Sequence, residues 1–119
     1  MSQSILFSVK KVLGLDESYT AFDPDVIMHI NSALGVLQQL GVGPAAGLVI
    51  EDDVPTWDDL IDVSEYGPEA GSVLSQARSY VYLKVRLLFD PPQVGFLLTS
   101  MEKQIEEYET RISYYRESY

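Results

Sequence analysis

Apolar residues recur at helical spacing in several stretches of this chain, and Gly- and Pro-rich breaks separate them. Ile5, Leu6, Val9, Val12 and Leu13 predict a short first helix, and Gly14 is placed to end it. The clearest helix start is "FDPDVIMHINSALGVLQQLGVGP". Asp23 is the expected N-cap, and Pro24 fits the first turn, where its missing N–H costs nothing. Asp25 adds negative charge at the positive end of the helix dipole. Ile27, Ile30, Leu34 and Leu37 form one stripe, and Gly41 is the expected terminating glycine.

The next stretch, "GVGPAAGLVIEDDVPTWDDLIDV", reads as a loop with room for a short extended segment at "GLVI". Thr56, with Asp59 three residues on, predicts an N-cap for a short helix carrying Trp57, Leu60 and Ile61. Trp57 is the expected anchor of this loop on the helices. "SEYGPEAG" breaks the chain again. Residues 69–89 then read as a central helix. One face carries Leu74, Ala77, Val81, Val85 and Leu88, and a second carries Tyr80, Leu83 and Leu87. A helix apolar on two sides is deep in a core or shared with another chain, so Tyr80, Leu83 and Leu87 are candidate contacts with a neighbouring subunit.

Asp90-Pro91-Pro92 cannot continue that helix, because proline lacks the N–H donor and restricts the residue before it. Beyond it, Val94, Leu98, Met101, Ile105, Tyr108, Ile112 and Tyr115 alternate spacings of four and three, a heptad seam. The helix so defined is about 25 residues, or about 37 Å, against about 30 Å for the central helix. Its strongly apolar first part, Val94 to Met101, is expected inside the domain. Its second part, "EKQIEEYETRISYYRESY", is polar apart from the seam and is expected to reach past the core. On that reading Ile105, Tyr108, Ile112 and Tyr115 serve a contact with another molecule. An ordinary terminal helix closing a bundle fits the same pattern.

These elements make an all-α chain: a small helical bundle with a long C-terminal hairpin and a Gly/Pro-rich loop. At 119 residues it is expected to be one domain, with an N-terminal helix at 1–14, a helix, loop and short helix at 15–64, and the hairpin at 69–117. No run of about 18 apolar residues is present, so no membrane span is expected. The first residues lack the basic-then-apolar order of a signal peptide. The absence of cysteine removes disulfides and thiolate chemistry, and fits a reducing cytoplasm.

The net charge is −10, and its distribution is uneven. From Val12 to Ala77 there are twelve Asp and Glu residues and no Lys or Arg. The basic residues are Lys10, Lys11, Arg78, Lys84, Arg86, Lys103, Arg111 and Arg116. A field of this sign repels phosphate and disfavours tight nucleic-acid binding. It also serves plain solubility.

Little in the chain resembles catalytic machinery. His29 is the only histidine and has no matched acid or nucleophile; a packed or exposed structural role suits it better than that of a base. "GVGPAAG" lacks the Lys-Ser/Thr of a P-loop. The acids of "EDDVPTWDD" supply oxygen ligands for a hard cation but do not follow the calcium-loop spacing. No cofactor or metal is expected, and an assembly protein is favoured over an enzyme.

The ordered set Ile30-Asn31-Ser32-Ala33-Leu34, Gly41-Val42-Gly43, Thr56-Trp57 and Asp90-Pro91-Pro92 resembles the head–tail connector, or adaptor, proteins of long-tailed bacteriophages. The likeness covers most of residues 16–115. It implies a small helical virion protein in the neck between capsid and tail, assembled in the host cytoplasm. Such proteins form a ring, commonly twelvefold, beneath the portal protein. The ring extends the DNA channel and docks the next connector, stopper or tail-terminator protein. DNA passes without specific binding, so the acidic residues Glu51, Asp52, Asp53, Asp58 and Asp59 are candidates for channel or loop surface. The alternative is a small acidic regulatory binder that mimics DNA. That reading accounts for the charge but not for the heptad seam or the loop. A metal-dependent enzyme built on the acids of residues 51–59 stands behind both.

Overall fold

The computed structural model describes residues 4–44, 46–61 and 70–117, with side chains as far as Tyr114. Five helices occupy the described residues, with no strand among them. Residues 64–69 of the expected break at 64–71 lie outside the described residues, as do residues 62–63 and the side chain of Tyr115.

Helix α1 spans Ile5–Val12. Ser4 caps it, its Oγ accepting from the amide of Phe7 at 3.3 Å. Ile5, Leu6 and Val9 are buried. Helix α2 spans Asp23–Gln39 and buries Val26, Ile30, Ala33, Leu34 and Leu37. Its N-cap is Phe22, not Asp23, and no side-chain bond closes that end. The carboxylate expected to do so is engaged elsewhere, by Lys10 at 2.9 Å. Helix α2 ends at Leu40, and Gly41 follows at φ +92°, a left-handed conformation that glycine alone adopts without strain.

Helix α3 is the single turn Trp57–Leu60. The Thr56 amide donates to the Asp59 carboxylate at 2.9 Å, the reciprocal half of a capping box. The "GLVI" segment builds no strand; an isolated bridge joins Ser4 and Thr56 nearby. Helix α4 spans Ala70–Phe89 and is the centre of the fold, touching α1, α2 and α5. It stops at Asp90, whose amide bonds the Arg86 carbonyl at 2.8 Å, and the two prolines turn the chain. Helix α5, Gly95–Glu117, runs back along α4.

The distribution of burial along α5 is the reverse of the one its composition suggests. Ile105 is 5% exposed and Ile112 0%. The apolar beginning is open: Val94 is 47% exposed, Phe96 73% and Leu97 47%. The reason is the antiparallel pairing. The last part of α5 returns along the first part of α4, where the Tyr80 hydroxyl donates to Glu109 at 2.7 Å. The turn end leads away from that core. In the polar second part, Ile105 and Ile112 of the seam therefore close on the chain's own helices.

Candidate docking surfaces

Two polar devices, one buried and one half-buried, shape the surface around α1 and α2. Lys10 has no exposed side-chain area, and its ammonium is held three ways. It bonds the carbonyls of Glu17 at 3.0 Å and Tyr19 at 2.7 Å, and pairs with Asp23 Oδ1 at 2.9 Å. A buried charge without such partners would cost several kcal/mol. The contact therefore fixes the connection between α1 and α2. Sequence reasoning missed it. Its signal was a lysine four residues after Leu6, on the buried side of α1, just before an acidic stretch.

The second device is Asn31. Its amide nitrogen donates to the Ile50 carbonyl at 3.0 Å, and its Oδ1 accepts from the Ile50 amide at 2.8 Å. The pair of bonds imitates a strand partner, which is why the segment stays extended without a sheet. Five residues beyond Ile50, the Pro55 carbonyl accepts from the Ile5 amide at 3.0 Å. Trp57, 1% exposed, then fixes the far end of the loop. Its Nε1–H donates to Ser8 Oγ at 3.2 Å. The Arg78 guanidinium lies 5.3 Å from its ring centre, and Tyr82 meets it edge-on at 5.9 Å.

Between these anchors Glu51, Asp52, Asp53 and Val54 stand exposed. Asp52 Oδ1 accepts from the Val54 amide at 3.0 Å and shapes the turn. Beside them opens a groove of about 860 Å³. Its floor is apolar, with Leu6, Phe7, Ile27 and Ile50, and its edges carry Glu17, Glu51, Asp52 and Asp53. None of these four acids has a cationic partner among the described residues. Asp58 and Asp59 are exposed too, but Asp59 is committed to the cap of α3. Among the described residues no three of His, Cys, Asp and Glu gather where a metal ion would need them.

The second surface is the hairpin tip. Leu88, at 44% exposed, joins Val94, Phe96 and Leu97 around the turn. Phe89 turns inward instead. Its ring meets Phe22 at 5.4 Å and His29 at 6.5 Å, both edge-on, so the lone histidine is a packing residue here.

The residues expected to meet other molecules are placed as follows. Tyr80, Ile105 and Ile112 are buried in the chain's own core. Leu83, Leu87 and Tyr108 are half-buried against it. Burial and the neighbouring Glu109 carboxylate push the Tyr80 phenol well above its ordinary pKa. Among the open apolar side chains are Val94, Phe96 and Leu97 of the hairpin tip, which sequence reasoning had assigned to the interior. No helix among the described residues is long and apolar enough to cross a membrane.

The described residues form an all-α scaffold that presents an acid-edged groove and an apolar hairpin tip. A family model described as phage connector protein matches residues 5–119. The chain belongs to that family, which gives it a structural, head–tail connecting role in a bacteriophage. No curated protein matches, and no solved structure does.

Proposed function

We propose that this chain is a non-enzymatic neck protein that forms a ring beneath the portal of the filled capsid. Copies of it encircle the DNA channel with the portal's twelvefold symmetry. One end of the ring meets the portal, and the other docks the next connector, stopper or tail-terminator protein. The family match over nearly the whole chain carries this reading. Charge supports it: acidic residues without lysine or arginine run from Val12 to Ala77, and an acidic wall lets DNA slide where a basic one would brake it. The half-buried edge of α4 at Leu83 and Leu87, with Tyr108 on α5, is available to widen a subunit contact.

The test is assembly. Capsids filled in the absence of this protein should fail to join tails, and adding the purified chain should restore joining. Averaged images of the restored necks should place a ring of the chain directly under the portal. Retention elsewhere on the particle, or tail joining without the protein, would overturn the reading.

A further inference from the structure

The groove and the hairpin tip face opposite ways, and helix α2 measures how far apart. Phe22 and His29 stand two turns apart on α2, and both rings meet Phe89 at the end of α4. Pro24, Ile27 and Asn31 line the groove. At about 100° per residue the two sets lie about half a turn apart around the helix axis. The tip is therefore on one side of the molecule and the groove on the other.

The two surfaces also match in character. The groove is apolar within and acidic at its edges. The tip is apolar at Phe96 and Leu97, with exposed Arg86 in the last turn of α4 and exposed Lys103 two turns from Phe96 on the same side of α5. Asp90 is the acid at the turn itself. Apolar surface of this kind on a small protein marks a contact site.

Resting on the connector reading, we propose that the acid-edged groove of one copy receives the hairpin tip of the next copy. Phe96 and Leu97 enter against Ile27 and Val49. Arg86 and Lys103 face Glu51 and Asp53. Because donor and acceptor surfaces differ and lie on opposite sides, the contact is head-to-tail. A contact of that type generates a ring when its rotation closes. The Lys10 contact and the Asn31 clasp then have a shared consequence: both hold the groove open in its receiving shape.

The absence of cysteine makes the test direct. Val49 and Phe96 are 68% and 73% exposed, so V49C and F96C should fold normally, as circular dichroism and melting will show. On portal-bearing heads and in concentrated solution, a short bis-maleimide should link the V49C/F96C double variant into a ladder. The two single variants mixed together should give dimers only, and each alone should give none. E51K/D53K should reduce the ladder about tenfold or more, and adding R86E/K103E should restore it. Self-linking by V49C or F96C alone would overturn the proposal, since it reports a two-fold contact. Retention on the heads without cross-links would also overturn it while leaving the connector reading intact. Cross-links in solution without retention on the heads would support the self-contact and count against the connector reading. No cross-links in either setting would overturn the self-contact.

Discussion

Replacing one buried and one exposed residue of the same helix tests the inverted burial of α5. Ile112 has no exposed area and lies where α5 returns along α4. Ile112→Ala removes three carbons, about 2.4 kcal/mol at about 0.8 kcal/mol each. The space left behind adds to that, for a total of about 3–4 kcal/mol. A domain of this size is stable by about 5–15 kcal/mol, so the loss is a large fraction. Phe96→Ala removes a larger side chain, but one that is 73% exposed, and should change stability by about 0.5 kcal/mol or less. Urea unfolding followed by circular dichroism measures both, with unchanged m-values as the check that one transition is compared. If Ile112→Ala is near neutral while Phe96→Ala costs several kcal/mol, the helix packs the other way round and the argument for an open hairpin tip fails.

Three further outcomes follow from the polar contacts and the loop anchor. Lys10→Met should cost about 3 kcal/mol, because it strands the Asp23 carboxylate and two carbonyls. Asp23→Asn should cost less, since the carbonyl bonds survive; the reverse order in thermal melts would show that the ammonium is not the organiser. Trp57→Ala should cost about 3–5 kcal/mol, and as the sole tryptophan its native fluorescence should be blue-shifted and move red on unfolding. A native spectrum like that of a solvated indole would contradict its burial. Tyr80 has a folded pKa raised above the ordinary 10, so its stabilisation is intact below pH 10 and is lost as pH rises beyond it. Tyr80→Phe should flatten that alkaline fall in melting temperature, and an identical fall in the variant would show that Tyr80 is not its source.

Local chemistry was legible in the sequence; distant pairing was not. Gly41, the Thr56–Asp59 cap and the stop at Asp90-Pro91-Pro92 act within a few residues, so their spacing alone declares them. Asp23 failed as the N-cap because its carboxylate belongs to Lys10, thirteen positions earlier, a partner no local rule finds. Asn31 stood in a motif, but its bonds to Ile50 depend on a loop that folds back over α2. The heptad seam of α5 told which residues share a face. It did not tell which part of that face α4 covers, and the apolar richness of Val94 to Met101 pointed the wrong way.

The clasp of Asn31 and the buried Trp57 also bears on how fast and how tightly the chain can be captured. Residues 51–54 project between those two fixed points in a defined turn. Ordering a free residue costs about 1–2 kcal/mol of backbone entropy. For these residues that cost falls within folding of the free chain, not within the encounter with a partner. In the proposed contact, an incoming subunit would meet a set of carboxylates already ordered. Capture by that contact would then be rigid docking with a steep dependence on ionic strength, without waiting for a loop to order.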